Sequence, residues 1–455
     1  MRRLWARLSS EHRKLAKEAL VIACLLVVVP ALIYFLTLNP IRNKRPLAGA
    51  NVRLSIAADG GSELSFARVP GRPGTLVGTS NSLIVYESTD AGATWRVGKG
   101  PVVPRGTCAY GWPRLLVAPG GREYLGFLAG PLCADKLRPS LYVSSRPGPD
   151  AAWSKPVRVV ERAWKYGFDD APDLALDRRS GRLYAIWTRG LGAHSAAVVS
   201  SSSADGGRTW APPREVSPAL VHPHLPAIAV GADGTVYAAG IDVRLGIWIA
   251  RSTDRGRTWS APRRAAPLRA NPAADCGGVS GYVVLPNELK TCAGPNPTLL
   301  VRGSRALVVY DDVGVNGTQD VFLSELDESL RPALRARVTP VDRGLAQQYL
   351  PAATVDATDG TIWVCWYDTT FDPKAHRSWF TCSASKDGRT WAPPQRAAAV
   401  PSLTADVGAI AAAPGLYPSV VADDGAAHAF WADTRTNVEG IYTVGLREQK
   451  LFTFR

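Results

Sequence analysis

The chain contains Ser203-Ala-Asp-Gly-Gly-Arg-Thr-Trp210, and close variants of this stretch recur at three other places in its 455 residues. The variants run from Ser88 to Trp95, from Ser252 to Trp259 and, one residue shorter, from Ser385 to Trp391. The Asp carboxylate of such a segment can accept backbone N–H groups, and the Gly supplies a positive φ. We therefore expect structural turns that close β-hairpins, with each Trp ring packed against its hairpin.

Each of these turns belongs to a longer unit of short apolar strands. Leu225-Pro-Ala-Ile-Ala-Val230, for example, precedes an Asp233-Gly turn, which is a strong hairpin signal, and two further apolar runs lead to the next Ser-to-Trp segment. A repeating unit of four strands predicts an all-β fold, namely a β-propeller. We count seven blades, with six as the alternative, and we expect Val52-Arg-Leu-Ser-Ile56 to close the last one. The units start near Glu63, Trp112, Ala171, Leu225, Pro297, Leu350 and Tyr417.

The S-x-D-x-G-x-T-W segments resemble the Asp-box, or BNR, repeats of the sialidase superfamily. The resemblance covers about residues 60–450 and implies an Asp-box β-propeller. Sialidases themselves have six blades, so the count of seven units departs from that pattern. Other Asp-box propellers, such as sorting receptors and assembly factors, cleave nothing. The resemblance is therefore more specific for the fold than for an activity.

The resemblance to sialidases also indicates candidate catalytic residues. It implies an arginine cluster that grips a carboxylate and a Tyr nucleophile that is paired with a Glu. Arg68 stands in an Arg-Val-Pro triplet where the family has Arg-Ile-Pro, and Tyr417 opens the last unit as the family's Tyr does. The family's acid/base Asp has no counterpart between residues 71 and 87. Arg68 and Tyr417 are thus the candidates, and whether the protein is an enzyme stays open.

A second set of polar residues follows the second strand of several units. We expect these strand ends to lie on the face opposite the Ser-to-Trp turns, where they could form a ligand-binding ring. The alternative is that each Asp caps its own loop. The candidate ligand-binding residues are Asp242, Arg244, Asp311, Asp368, Asp433 and Arg435.

The N-terminal segment has the composition of a membrane anchor. Residues 19–38 carry no charge, and about 20 apolar residues span a bilayer as a helix. Residues 1–50 contain nine Lys or Arg and two Asp or Glu, a net of +7 out of +14 for the chain. We expect a basic cytoplasmic tail at 1–18, a transmembrane helix at 19–38, a linker at 39–50 and the propeller at 51–455. A cleaved signal peptide is the alternative.

Six cysteines follow the apolar segment, and an even number fits an oxidising compartment. Fifteen pairings are possible, and sequence proximity favours three of them. The expected disulfides are Cys108–Cys133, Cys276–Cys292 and Cys365–Cys382. They would hold loops of one face in shape for recognition.

These patterns predict a membrane-anchored, extracytoplasmic propeller that recognises a glycan or a protein. The alternatives are an exo-sialidase-type glycoside hydrolase and a non-enzymatic assembly factor of a membrane complex. Lys and Arg do not cluster with interleaved aromatic residues, so we expect no nucleic-acid partner. No spacing indicates a metal site, and we expect no cofactor.

Overall fold

Seven antiparallel sheets, six with four strands and one with an added fifth strand, follow one another along the chain in the computed structural model. The structure describes residues 48–54, 63–131, 139–160, 168–192, 195–221, 223–269, 295–314, 317–340, 346–372, 377–403, 417–435 and 440–447, together with four two-residue strands between 275 and 293. These residues belong to a compact unit that runs from Pro46 to Arg455.

The strands of the first four sheets, here called blades 1 to 4, are preceded by a short strand β1 (Val52–Arg53). Blade 1 comprises β2 (Leu64–Arg68), β3 (Leu76–Ser80), β4 (Ile84–Ser88) and β5 (Arg96–Lys99). Blade 2 comprises β6 (Thr107–Val117), β7 (Glu123–Pro131), β8 (Ser140–Arg146) and β9 (Val157–Arg158). Blade 3 comprises β10 (Phe168–Leu176), β11 (Leu183–Gly192), β12 (Ser195–Ser203) and β13 (Arg214–Glu215). Blade 4 comprises β14 (His224–Val230), β15 (Val236–Asp242), β16 (Gly246–Ser252) and β17 (Arg263–Ala266).

Two small hairpins separate blade 4 from the remaining blades: β18 (Asp275–Cys276) with β19 (Val279–Ser280), and β20 (Val283–Val284) with β21 (Cys292–Ala293). Blade 5 comprises β22 (Thr298–Arg302), β23 (Arg305–Val313), β24 (Gln319–Leu326) and β25 (Pro332–Arg337). Blade 6 comprises β26 (Gln348–Val355), β27 (Ile362–Asp368), β28 (Arg377–Ser385) and β29 (Gln395–Arg396), and β30 (Ser402–Leu403) pairs with β28. Blade 7 comprises β31 (Ser419–Asp423), β32 (Ala426–Asp433), β33 (Gly440–Arg447) and β1.

The N-terminal strand closes the propeller, as the sequence predicts. β1 pairs with β33 in blade 7, with Val52 opposite Thr443 and Arg53 opposite Tyr442. A backbone hydrogen bond of 2.8 Å from Leu54 N to Ile441 O continues this pairing. Closure of the sheet ring protects the edges that open sheets expose. The prediction of a seven-bladed all-β propeller is confirmed, and the alternative of six blades is excluded.

The four Ser-to-Trp turns have the hydrogen bonds that their sequence predicts. In blade 4, Asp254 Oδ1 accepts from the backbone N–H of Thr258 at 2.9 Å, and Oδ2 accepts from the Thr258 hydroxyl at 2.6 Å. The Ser252 hydroxyl donates to Asp254 and accepts from Gly256 N at 2.9 Å. These bonds stabilise the carboxylate form and lower the pKa of Asp254 to about 2. The Asp side chains of these turns are therefore structural.

The Trp95 and Trp259 side chains of these turns also contact a neighbouring blade, which was not predicted from the sequence. Trp95 lies edge-on to Phe66 of its own blade, with centroids 5.9 Å apart, and to Phe430 of blade 7 at 5.8 Å. Trp259 of blade 4 donates from Nε1 to the Ser200 hydroxyl of blade 3 at 3.1 Å. The turn sequence thus contributes to packing between blades as well as to its own hairpin.

The predicted N-terminal tail and membrane segment, residues 1–18 and 19–38, lie outside the described residues. Within the residues that the structure describes, no helix has the length and apolar character needed to cross a membrane. The Cys365–Cys382 disulfide is present and joins β27 to β28. Cys108 carries a free thiol, and its expected partner Cys133 lies outside the described residues. The side chains of Cys276 and Cys292 also lie outside the described part of the structure.

Candidate functional site

The first strand of each blade lines the central channel, and these inner strands run parallel to one another. Glu63 and Tyr417 form a parallel bridge at the start of β2 and β31, and Arg68 meets Asp423 where the same two strands end. We call the end at which the inner strands start the upper face. The end at which they finish, together with the Ser-to-Trp turns, is the lower face.

A cavity of about 290 Å³ lies in the channel near the upper face. Its wall includes one residue from each inner strand: one of them lies two positions after Glu63, and each of the other six directly follows a proline. Blades 2 and 3 place a charged residue at this position, and the other blades place small or hydroxyl-bearing residues there. The ring consists of Ser65, Arg114, Asp173, Ala227, Thr298, Ala352 and Ser419.

Arg114 and Asp173 form an ion pair across the boundary between blades 2 and 3. Arg114 Nε lies 3.2 Å from Asp173 Oδ1, and the two side chains are 21% and 22% exposed. Asp173 Oδ2 also accepts from the backbone N–H of Ile228 in blade 4 at 2.9 Å. Burial raises the pKa of Asp173, while Arg114 and the Ile228 N–H act in the opposite direction. The cavity wall therefore contains a positively charged donor, Arg114, next to a negatively charged acceptor, Asp173.

Tyr417 lies at the same cavity, beside a second aromatic ring. Its ring centroid is 4.7 Å from that of Trp112 in blade 2, and the two planes are tilted by 49°. The Arg114 guanidinium carbon is 5.2 Å from the centroid of the Tyr417 ring, a cation–π distance. The Tyr417 side chain is buried, with 7% of the residue exposed. The cavity thus combines two aromatic rings with one ion pair.

Glu63 is the acidic neighbour of Tyr417 that sequence reasoning did not find. The backbone N–H of Leu64 donates to the Tyr417 carbonyl at 2.9 Å, which fixes the two strand starts side by side. The buried Glu63 carboxylate accepts a hydrogen bond from the backbone N–H of Trp112. The Glu63 carboxylate therefore links blade 1 to blade 2, and the Leu64–Tyr417 backbone bond links blade 1 to blade 7.

A backbone feature repeated before proline orients these strand starts. Trp112, Ala171, Leu225 and Leu350 each precede a Pro and have φ between 47° and 54°. This left-handed conformation is unfavourable for residues with a side chain. Each of the four positions coincides with a shift in the pairing between the first and second strands. Because the feature recurs in four blades, we read it as a bulge of the fold that sets which residues line the channel.

Arg68, the other candidate catalytic residue, lies at the opposite end of the channel from Tyr417. It is the last residue of β2, and its Nη1 is 3.2 Å from Asp423 Oδ2 at the end of β31. Five residue steps of a strand separate Glu63 from Arg68, or about 16 Å. The structure therefore does not bring Arg68 and Tyr417 into one site. The Arg68-Val-Pro70 triplet begins at the last residue of β2 and continues into the turn that follows, instead of opening the strand. This is why Arg68 lies at the lower face.

The four Asp residues of the expected ring are fully buried at the upper ends of the second strands and accept hydrogen bonds there. Asp242 accepts from Arg244 N at 2.9 Å and Leu245 N at 2.8 Å, and Asp311 accepts from Asn296 N at 3.0 Å. Asp368 and Asp433 each accept from the indole N–H of a Trp two residues earlier, both at 3.1 Å. Asp242, Asp368 and Asp433 also accept from backbone N–H groups of the loops that follow them, which are the contacts of the loop-capping alternative, whereas Asp311 accepts from Asn296 N and Leu350 N outside its own loop.

The two arginines that were grouped with these Asp residues also make structural contacts. Arg435 Nε donates to Asp433 at 2.8 Å, and its guanidinium carbon lies 4.0 Å from the Tyr442 ring centroid. Arg244 is exposed and donates to the Ala219 carbonyl. Among the residues that the structure describes, no group of three His, Cys, Asp or Glu side chains is arranged to hold a metal ion.

Sequence reasoning missed Trp112, Arg114, Asp173 and Glu63, although the signal for three of them was present. Trp112-Pro-Arg114 and Ala171-Pro-Asp173 share the x-Pro-x pattern of Tyr417-Pro-Ser419. Alignment of the six units that carry this pattern would have placed these residues at positions equivalent to Tyr417 and Ser419. Glu63 opens a unit that lacks the proline, so its position depends on the pairing of β2 with its neighbours.

No protein-family model and no curated protein matches this sequence. Its structural neighbours include sialidases and trans-sialidases. The Hadza microbial sialidase Hz136 is 15% identical, with 82% of this chain and 73% of that chain covered at a TM-score of 0.43. The NanB sialidase from Streptococcus pneumoniae is 8% identical, with 83% and 82% covered at a TM-score of 0.47. Trypanosoma rangeli sialidase is 13% identical, with 88% and 60% covered at a TM-score of 0.44. At such identities the likeness concerns the propeller fold.

Proposed function

We propose that this chain is a membrane-anchored, extracytoplasmic recognition propeller of the Asp-box type that binds a glycan in the cavity of its upper face. The anchor is residues 19–38, and the buried Cys365–Cys382 disulfide supports an oxidising compartment. The observation that carries the proposal is the Trp112–Tyr417 aromatic pair beside the Arg114–Asp173 ion pair.

The chemistry of this cavity suits a sugar ring. The C–H faces of a sugar pack on aromatic rings, and its hydroxyls both donate and accept hydrogen bonds. Arg114 offers donors, Asp173 offers acceptors, and Ser65, Thr298 and Ser419 add hydroxyls to the wall. A volume of about 290 Å³ is at the lower end of the range for small-ligand pockets, which suits one terminal sugar residue rather than a long chain.

The alternative is a glycoside hydrolase of exo-sialidase type, and one contact favours it. Glu63 and Tyr417 are adjacent at the upper face, and a Tyr nucleophile paired with a Glu is the sialidase arrangement. Against it, Arg68 lies at the lower face, and in the described residues Arg114 is the one arginine that lines the cavity. Arg114 is already paired with Asp173, which weakens its attraction for a substrate carboxylate.

The test is glycan binding by the purified full-length protein on an array, followed by calorimetry with the best ligand. We expect Trp112→Leu to weaken binding about fivefold, because one aromatic contact contributes about 1 kcal/mol and the smaller side chain covers less of the sugar. Leucine is a tolerated replacement, since Leu225 and Leu350 occupy the equivalent positions with φ of 48° and 50°. Trp259→Leu on the lower face is the matched control.

Tyr417→Phe separates binding from hydrolysis. It keeps the ring and removes the hydroxyl, so a recognition site should retain its affinity within a few-fold. A hydrolase of sialidase type would turn over a fluorogenic sialoside and lose that activity in the variant. Affinity that is unchanged in Trp112→Leu, or no glycan ligand for the folded protein, would contradict the proposal.

A further inference from the structure

We propose a second binding site in the channel, at the lower face, for a ligand that carries a phosphate group. A cavity of about 600 Å³ lies where the inner strands of blades 1, 2, 3, 6 and 7 end. It lies nearer the lower face than the upper cavity, with which it shares the wall residue Val420, and its lining includes Phe66 to Pro73 together with Thr354, Val355 and Ala357. None of the residues proposed to contact the glycan lines this cavity.

The charged residues that line this cavity are three arginines and one aspartate, namely Arg68, Arg72, Arg178 and Asp423. Asp423 is engaged on both oxygens, by Arg68 Nη1 at 3.2 Å and by the Thr358 hydroxyl at 3.2 Å. One arginine is thereby neutralised. Arg72 and Arg178 are exposed and form no ion pair with the residues that the structure describes. The lining therefore has an excess of two positive charges.

Arg68 has capacity for a further contact even though it is paired. Its side chain is 19% exposed, and its Nε is buried without a hydrogen-bond partner among the described residues. A buried donor without a partner costs about 1–3 kcal/mol, more when the group is charged. An anion in the cavity could accept from this guanidinium as well as from the two unpaired arginines. All three arginines line this one cavity, from blades 1 and 3.

The turns that carry Arg72 and Arg178 are held by their own hydrogen bonds. Arg72 lies between Pro70 and Pro73 in a turn closed by Val69 N to Thr75 O at 3.0 Å and Arg72 N to Val69 O at 3.1 Å. Arg178 lies in a turn closed by Gly181 N to Asp177 O at 2.8 Å. The Asp177 carboxylate is occupied within that turn by Arg179 N at 2.9 Å and by Ser180. Rigid turns lower the entropy cost of presenting the arginines to a ligand.

Phosphate is the chemistry that this arrangement fits. A guanidinium matches phosphate in a planar, two-bond geometry, and several guanidiniums can share one phosphate group. The cavity is larger than a bare phosphate ion, so a small phosphorylated molecule or the headgroup of an anionic lipid could place its phosphate there. Both sources share the same contact with the arginines.

The test is calorimetric titration of the full-length protein in neutral detergent. Inorganic phosphate and dihexanoyl phosphatidylglycerol are the two probes, and dihexanoyl phosphatidylcholine controls for the acyl chains. We expect saturable binding of at least one anionic probe, weakened at least tenfold in Arg72→Gln/Arg178→Gln. The control, Arg257→Gln/Arg331→Gln, removes the same charge from exposed turns of the lower face outside the cavity and should leave affinity unchanged within about twofold.

The outcomes distinguish a soluble phosphorylated ligand from a lipid headgroup, and the phosphate site from the glycan site. Binding of phosphate alone indicates a soluble ligand, and binding of the anionic lipid in preference to the zwitterionic one indicates a headgroup. Absence of saturable binding to either anionic probe, or an equal loss in both double variants, overturns the proposal. Trp112→Leu should not change phosphate affinity, so failure of the glycan site leaves this result interpretable.

Discussion

Asp311 illustrates how the environment decides the role of an aspartate in this fold. In the exposed turns, Asp254 and its counterparts accept several N–H and hydroxyl donors, which lower the pKa to about 2. Asp311 is fully buried at the end of β23, and desolvation raises its pKa to about 7 despite hydrogen bonds from Gln319 and Asn296. Its Oδ2 also accepts from Leu350 N at 3.4 Å, which links blade 5 to blade 6.

The raised pKa of Asp311 predicts a pH dependence of stability. The folded pKa of about 7 exceeds the usual value of 3.8, so the folded chain holds a proton that the unfolded chain has lost. Stability is therefore lost as pH rises through 7, by about 1 kcal/mol between pH 6 and pH 8. The free energy of unfolding of Asp311→Asn, measured in urea, should not show this decrease between pH 6 and pH 8. An identical pH slope in the variant and the wild type would contradict the assignment.

At the scale of single elements, the paired strands β27 and β28 carry the one covalent cross-link seen in the described residues. Cys365 and Cys382 lie directly opposite each other, both fully buried, with Cα atoms 4.0 Å apart. They close a loop with a sequence separation of 17 residues. The cross-link lies among Tyr349, Trp363 and Phe380, in the apolar layer between blades 6 and 7.

Reduction of this disulfide should destabilise the propeller. For a loop of this length the chain-entropy account predicts a loss of about 3 kcal/mol. Guanidinium unfolding of the wild type with and without reductant, compared with Cys365→Ala/Cys382→Ala, measures the effect. Cys108→Ser is the matched control, because Cys108 is a half-buried free thiol. Equal unfolding midpoints in reduced and oxidised protein would contradict the prediction.

At the scale of the whole molecule, the ring is held closed by residues far apart in the chain. Leu54 is 5% exposed and belongs to an apolar cluster with Leu64, Phe66 and Phe430, which spans blades 1 and 7. The Phe66 and Phe430 rings stack with centroids 3.8 Å apart. His428 Nε2 lies 2.7 Å from the Ala91 carbonyl, in the turn of blade 1, and adds a polar contact to the same closure.

Leu54→Ala tests the contribution of the closing strand. Removal of a buried leucine side chain should lower the free energy of unfolding by about 2–5 kcal/mol, since the cavity cannot fully collapse. Arg53→Ala, at the exposed neighbouring position of β1, should change stability by less than about 0.5 kcal/mol. Chemical unfolding of both variants is the measurement. A small effect of Leu54→Ala would mean that blade 7 is stable with three strands.

Much of the architecture was predictable because it depends on local, repeated signals. The Asp turns of four blades, the short apolar strands and the Asp-Gly hairpins act within about a dozen residues and recur in the same order. The seven blades and the closing strand at Val52–Arg53 followed from them, and the Cys365–Cys382 pair followed from sequence proximity. For the same reason the sequence alone supported two readings of Asp242 and its counterparts, since a capping residue and a ligand-binding residue share one local pattern.

The composition of the cavities was decided by the tertiary structure. The Arg68 triplet does not specify at which end of a strand it falls, and the pairing of β2 places it at the lower face with Asp423. Glu63, Trp112 and Tyr417 come from three different blades and meet because the ring closes and the strand starts bulge before proline. The repeats by themselves determined the propeller, since each acts within its own hairpin. Which side chains share a channel wall depends on register and closure, which are set by packing between blades.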